Sequence, residues 1–488
     1  MAVANPTCEA RPAAGAAVSR PGAAAAAAPA LGLPADATHL GLPLGDVERR
    51  PRQAGPRAFL ATFGTAVFCY GAAIGQSILL ARLLGPEGRG QLTAAMLWPG
   101  LLAVLGVWGV DLALGRRAAR PENVAPAVRS ALVLVPVTAA ATIALGAVVL
   151  PLLVPRADPA LLPLAWLYLA AVPLAHVRIV LERIDLGRSD FFRMNAGRAL
   201  ASPLVIVGLV ALAAAGRVSL GGAILAYLAA EAAVAVLRVY WATRGRTLRG
   251  PRLPLGPVVR DAAGFGLAAG LDALVERMDL ALVVCVLPAS GVGLYVVAQA
   301  TARTLSMVGV SAGLVGFARS AGSETGDGFP EAARVFRGLA LVNLAGGAAL
   351  AAAMALLVPA VFGAPFAGAI SAGVVLVAGY ALAGLATYLN QCLRGQGRPL
   401  AGTAARLMGL AAYVPLGLLG AAAGGLQGAA AAFVLAHAAT LAYLAHRTLA
   451  HYRGARVRDL VPRWSDVRGL AGALAGWAAK AVAGRAPG

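Results

Sequence analysis

The sequence predicts an all-α membrane protein of about twelve transmembrane helices, arranged as two six-helix bundles related by a pseudo-twofold axis along the membrane normal. Three observations lead there. Of 488 residues, 59% are hydrophobic and only 13% charged, about half the charged fraction of a soluble domain. The apolar residues fall in long uncharged blocks near the 20 or so residues that cross a bilayer. Arginines alternate between the ends of those blocks, as in a chain that threads back and forth.

The spans are expected at 58–84, 91–114, 130–154, 160–181, 198–215, 219–240, 262–287, 291–317, 338–363, 367–392, 403–422 and 424–446. The fourth is the least regular, with Pro163, Pro173, His176 and Arg178 inside it. Pro99, Pro136, Pro203 and Pro415 lie within other spans, where proline kinks a helix and frees carbonyls. The 60 glycines suit helices that approach closely in lipid, where packing rather than hydrophobicity drives association.

The net charge of +20 would suggest nucleic acid in a soluble protein. Here Arg116, Arg117, Arg120 and Arg129 follow the second block, and Arg178, Arg183, Arg188, Arg193 and Arg198 surround the exit of the fourth. Arg238 to Arg260 follow the sixth, Arg319, Arg334 and Arg337 the eighth, Arg394, Arg398 and Arg406 the tenth, and a basic tail the twelfth. The intervening loops hold only Arg89, Arg156 and Arg217. The positive-inside rule then places both termini in the cytoplasm and excludes nucleic acid as partner. Residues 1–56 read as a disordered Ala/Pro-rich cytoplasmic tail, 57–260 and 261–450 as the two bundles, and 451–488 as a basic cytoplasmic tail whose segment 467–483 lies at the membrane interface.

No extramembrane segment is long enough for a catalytic domain. Cys8, Cys69, Cys285 and Cys392 have no metal or disulfide spacing. A GxxxxGK[ST] loop is absent and Lys480 is the only lysine, so ATP does not drive the chain directly. An enzyme is not expected, nor a cofactor.

An internal repeat is a further clue. LLGPEGRGQL (83–92) closes the first span and opens the second, and LPASGVGLY (287–295) does the same for the seventh and eighth. Each runs from an apolar helix through a proline and a Gly-x-Gly step into the next helix. Parallel repeats of this kind place a transport site between the halves near mid-membrane.

Charged residues deep in the membrane are functional candidates because each costs a few kcal/mol to insert. The seventh span carries Asp272, Glu276, Arg277 and Asp279. The i, i+4, i+7 spacing puts Asp272, Glu276 and Asp279 on one face, and Arg277 points elsewhere. The eighth carries Gln299 and Arg303 at comparable depth, with Ser306 one turn on. One reading is a polar cavity between the halves, with Arg277 and Arg303 as guanidinium forks for a diphosphate and an acid for a coupling proton or sodium ion. The other is a network that neutralises itself, Arg303 with Asp279 and Arg277 with Asp272 or Glu276. Three acids against two arginines leave one negative charge over, which leans toward a titrating or ion-binding carboxyl. Arg82 lies near the outer end of the first span, where snorkelling explains it as well as function does. Gln76 and Ser77 either face the cavity or satisfy backbone. Asn390, Gln391, His176 and Glu182 read as helix-end polar groups, and Asp111 with Arg116 and Arg117 as a cytoplasmic boundary.

ILLARLLGPEGRGQL (78–92) resembles the first hairpin of polysaccharide flippases. LDALVERMDLALVVCVLPASGVGLY (271–295), with Asp279, Gly293 and Tyr295, is similar to their seventh helix, and LRGQGRP (393–399) also matches. The resemblance, over roughly 58–450, is to Wzx-type O-antigen and exopolysaccharide translocases of the multidrug/oligosaccharidyl-lipid/polysaccharide exporter superfamily. It implies a V-shaped pair of bundles working by alternating access in the inner membrane. It also implies a substrate of short oligosaccharide on a polyprenyl diphosphate, with membrane lipid and the polysaccharide polymerase and assembly proteins as partners. The nearest rival is an ion-coupled multidrug or small-cation exporter of the same superfamily. A peptidoglycan-precursor flippase would need two more spans, and a membrane glycosyltransferase or ligase a larger external loop.

The topology has a direct check. A cysteine in place of Ser290 should react with an impermeant thiol reagent from outside and one in place of Gly326 should not; the opposite labelling overturns the N-in arrangement.

Overall fold

A computed structural model describes residues 56–154, 158–247, 249–322, 328–452 and 454–469, with Gly472 and Gly476 beyond them. The N-terminal tail, Gly326 and most of the C-terminal interfacial segment therefore lie outside the described residues. All described regular structure is helical, and each of the twelve expected spans is a helix or a pair of helical pieces.

Glycine and proline set the joints. Pro56–Gly106 breaks at Gly85 (φ 67°, ψ −178°) into the first and second spans. Only glycine takes that backbone without strain, and Pro86 then starts the second span with its φ preset. Pro399–His451 breaks the same way at Gly425 (φ 54°, ψ −133°) into the eleventh and twelfth. The third span is Val124–Leu153. The irregular fourth resolves into Leu161–Leu169 and Ala171–Gly187, bent by 40°. Pro173 has no N–H for the Leu169 carbonyl, and its ring crowds that turn.

The fifth span, Phe191–Ala214, is capped by Asp190, and the sixth, Leu220–Thr243, by Ser219, each side chain accepting from a first-turn amide. The seventh, Leu255–Val286, starts well before the expected 262. The eighth is not the unbroken helix expected. Ala289–Ala302 gives way to a 3-10 turn, Arg303–Leu305, before Ser306–Gly322 continues. Thr304 and Ser306 hydroxyls bond back to the Thr301 and Arg303 carbonyls there, both at 2.8 Å, competing with the α-helical ladder. Phe329–Phe362 and Ala369–Gly395 are the ninth and tenth spans.

Each bundle has its own apolar core. Leu80, Leu92, Val205, Leu209 and Ile224 pack together in the first, and Phe336, Leu385, Tyr388, Leu389 and Leu444 in the second. A third cluster forms the seam between bundles, joining Ala81, Ala94 and Leu97 to Val283, Tyr295, Val297 and Phe366. At the arginine-poor end of the seam the two repeated hairpins meet backbone to backbone. A Cβ on Gly90 would overlap the Ala289 carbonyl, and one on Gly293 the Pro86 carbonyl. The two bundles also touch at the arginine-rich end. Trp108 (φ 50°) and Gly109 (φ 75°) turn the chain there, so that Gly109 lies against Gly266, and Arg117 pairs with Asp261 at 2.8 Å. Beyond the twelfth span, Arg337 grips Asp466 through two bonds of 2.7 and 3.2 Å, which holds that carboxyl below the usual aspartate range.

The basic residues around the fourth to sixth spans are more than loop charges. Arg238 has no side-chain exposure and bonds Glu182 at 3.1 Å, Asp185 at 3.5 Å and the Met194 carbonyl at 3.3 Å. Arg198 joins Glu182 at 2.6 Å, and Arg188 joins Asp185 and Asp190 at 3.0 and 2.6 Å. Glu182 is thus a buried bridge between three spans rather than a helix-end group. Removing one partner of such a network strands the others, at about 3–5 kcal/mol. Arg238→Met should therefore sharply lower the unfolding temperature of the purified protein. Gly197→Ala, whose Cβ would run into the Arg238 guanidinium, should shift it the same way. An unchanged melting profile for both would show that this network does not hold the first bundle.

Candidate functional site

The seventh span presents two faces, as its spacing requires. Asp272, Glu276 and Asp279 line a cavity of about 480 Å³, together with Arg303, Tyr380 and Tyr413. That cavity is walled by the seventh, eighth, tenth, eleventh and twelfth spans. It lies inside the second bundle, not between the halves as the sequence suggested. Arg277, about 100° round the same helix from Glu276, faces the first bundle instead, so the acidic face turns away from the seam.

The pairing differs from the expected one as well. Glu276 pairs with Arg303 at 2.8 Å, and Asp272 with Arg406 of the eleventh span. Arg406 and Arg394 both line the cavity, so three arginines face the three acids and the expected surplus negative charge is gone. Asp279 is buried and takes part in no ion pair among the described residues. Its carboxylate accepts from the Gln299 amide and, at 3.4 Å, from the Tyr295 hydroxyl. Asn390 and Gln391, expected as helix-end groups, also line the cavity, and each has a buried carbonyl oxygen without a partner.

Arg277 points the other way, toward the first bundle. Its Nη1 lies 3.5 Å from the position of a Cβ on Gly100 of the second span, and Tyr168 Cε1 lies 3.8 Å from the same point. Arg277 is exposed and forms neither an ion pair nor a hydrogen bond among the described residues. The seventh span therefore sends one uncompensated cation to the inter-bundle face and its acids to the other.

Arg82 neither snorkels nor faces the cavity. It donates to the Val361 and Ala360 carbonyls at 2.8 and 2.6 Å. Those carbonyls belong to the last turn of the ninth span, where acceptors are left over and the helix dipole favours a cation. This is a cross-bundle contact beside the Gly90/Gly293 crossing. Gln76 donates to the Tyr227 hydroxyl, whereas the buried Ser77 hydroxyl has no partner. His176 is fully buried in the first bundle, 3.0 Å from the Thr138 hydroxyl. Asp111 reaches across to Arg183 at 3.3 Å rather than to Arg116 or Arg117. Among the described residues, no three His, Cys, Asp or Glu side chains converge as metal ligands.

No family model and no curated protein matches the sequence. Among solved structures, the chain is similar to the lipid II flippase MurJ in an inward closed conformation, with TM-score 0.65 and 11% identity over 83% of this chain and 89% of that one. It is also similar to an inward-facing multidrug resistance MATE family transporter of the MOP superfamily, with TM-score 0.61 and 16% identity over 81% and 99%. A MATE structure in complex with MaD3S gives TM-score 0.54 and 18% identity over 82% and 96%. At these identities the likeness establishes the fold alone, and the two-bundle layout of the membrane helices described above is consistent with it.

The crossing can be tested by enlargement. With Gly90→Val the two hairpins cannot meet as they do here, because the added carbons need the space of the Ala289 backbone. In a background without other cysteines, Val296→Cys on the seam should be protected from an impermeant thiol reagent. It should become reactive once Gly90→Val is added. Equal protection in both would show that the crossing does not seal this end.

Proposed function

We propose that the chain translocates polyprenyl-diphosphate-linked oligosaccharide units across the cytoplasmic membrane for surface polysaccharide biosynthesis, by alternating access between its two bundles. The observation that carries this reading is Arg277. An arginine inside the membrane is costly unless something compensates it, and this one faces the other bundle without a carboxylate partner. A diphosphate supplies the missing charge in the bidentate geometry a guanidinium favours. Arg303 stands at comparable depth on the eighth span and joins it once Glu276 is released. Gln299 positions Asp279, whose buried carboxyl takes up the coupling proton or sodium ion.

Two seals suit a cycle of alternating access. The arginine-poor end, which this reading places outside, is closed by the glycine crossing and by Arg82. The arginine-rich end, placed in the cytoplasm, carries the Gly109/Gly266 contact and the Arg117–Asp261 pair, whose side chains keep 19% and 25% of their exposure. That pair would have to break for this end to open. The fold shared with the lipid II flippase MurJ is compatible with a lipid-linked substrate. Polymerase and assembly proteins of the same pathway are the partners this function calls for.

A second reading, an ion-coupled multidrug or small-cation exporter, draws on Asp272, Glu276 and Asp279 beside Tyr380, Tyr413 and Phe433 in the second-bundle cavity. The three arginines in that lining disfavour it, because an organic cation needs a net negative aromatic cage.

A deletion strain complemented with variants tests the proposal. Loss of the chain should abolish surface polymer and strand lipid-linked repeat units on the cytoplasmic leaflet. Wild type should restore export, while Arg277→Ala and Arg303→Ala should insert normally and fail to restore it. Normal polymer with both variants removes the diphosphate clamp; unchanged polymer and lipid pools in the deletion strain move the weight to the exporter.

A further inference from the structure

The first bundle holds a polar cluster that the diphosphate site leaves unused. The bend in the fourth span falls between Tyr168 and Arg178, and Tyr227 and Glu231 sit one turn apart on the sixth. Arg178 Nε donates to Glu231 at 2.8 Å, and the two side chains keep 29% and 19% of their exposure. Gln76 of the first span donates to the Tyr227 hydroxyl, and the Tyr227 and Tyr168 rings meet edge to face at 6.5 Å and 84°. Tyr168 and Arg277 flank the same side of Gly100, so the cluster runs on from the unpaired cation. Arg89 lies within electrostatic reach of Tyr227, and its buried Nε has no partner.

These groups mix donors and acceptors around aromatic edges. Phosphate oxygens have no use for Glu231 or for tyrosine oxygens as acceptors, and an organic cation meets a carboxylate already neutralised by Arg178. A ring bearing several hydroxyls satisfies both halves of the set: hydroxyls donate to Glu231 and accept from Arg178 and Gln76, while C–H faces lie against the tyrosines.

We propose that Gln76, Tyr168, Arg178, Tyr227 and Glu231 form the saccharide subsite of the transport site, with Arg277 at its border with the diphosphate. This rests on the flippase reading and divides the substrate between the bundles, sugar on the first and diphosphate at the seventh and eighth spans. Neutral sugars fit, since the one guanidinium and one carboxylate of the subsite balance, and Arg277 at its border favours acidic sugars over basic ones.

Binding to the purified full-length protein in nanodiscs tests it with two probes, a bare polyprenyl diphosphate and the same lipid bearing one disaccharide. Glu231→Gln should weaken the disaccharide-bearing lipid roughly tenfold or more, the effect of losing hydrogen bonds to a charged group, and leave the bare lipid within about twofold of wild type. Tyr168→Leu, which leaves the Arg178–Glu231 pair intact, should discriminate the same way if the first variant fails to fold. Equal losses for both probes, or none for either, overturn the subsite while leaving the flippase reading standing. A wild type that binds neither lipid overturns the flippase reading, and the subsite with it.

Discussion

The contact on which the rest depends is the backbone crossing of Gly90 and Gly293. Two helices approach this closely only where neither carries a side chain. Because each glycine belongs to one copy of the repeated hairpin, the approach is reciprocal: Gly90 against Ala289, Gly293 against Pro86. It fixes the second span against the eighth and so sets which residues can face one another further down the seam. Arg82 reinforces it with a cheap bond, since the carbonyls it meets at the end of the ninth span have no helical partners of their own.

From that fixed point the charges of the seventh span divide by helical geometry alone. Asp272, Glu276 and Asp279 share a face and enter the second bundle, where Arg406 and Arg303 neutralise two of them. Arg277, one residue past Glu276, is rotated about 100° away and meets Gly100 and Tyr168 instead. Two of the acids are paired, Asp279 is held by hydrogen bonds alone, and the cation has neither among the described residues. On the proposed function, this asymmetry would separate an anionic-lipid site at the inter-bundle face from an ion-coupling carboxyl behind it. The mostly buried Arg178–Glu231 pair extends the same face into the first bundle.

Much of this was legible in the sequence because the bilayer constrains it strongly. Length, hydropathy and arginine alternation give the spans, and the fourth was irregular for the reason its proline implies. The 3.6-residue period also separated Arg277 from its three acidic neighbours. What sequence could not supply were partners across long separations. Asp272 and Arg406 are 134 residues apart, and Arg82 and Val361 are 279 apart, so the charge balance drawn from the seventh and eighth spans was incomplete. The break in the eighth span hinges on weak hydroxyl competition at Thr304 and Ser306, which hydropathy does not register. Arg238 looked like one of many positive-inside residues; only its zero exposure and its bonds to Glu182 and Asp185 reveal a core ion. Its signal was there in part, since Glu182 and Asp185 lie on one turn inside an apolar block.

The most direct measurement is flipping in reconstituted vesicles. The purified chain would be placed in liposomes carrying a fluorescent polyprenyl-diphosphate oligosaccharide, with the fraction on each leaflet read by a membrane-impermeant quencher as an ion gradient is applied. A flippase moves the label between leaflets, faster with the gradient than without it, and empty liposomes do not. Label that stays on its own leaflet with folded protein present, while an organic cation crosses under the same gradient, would contradict the lipid-linked saccharide as substrate.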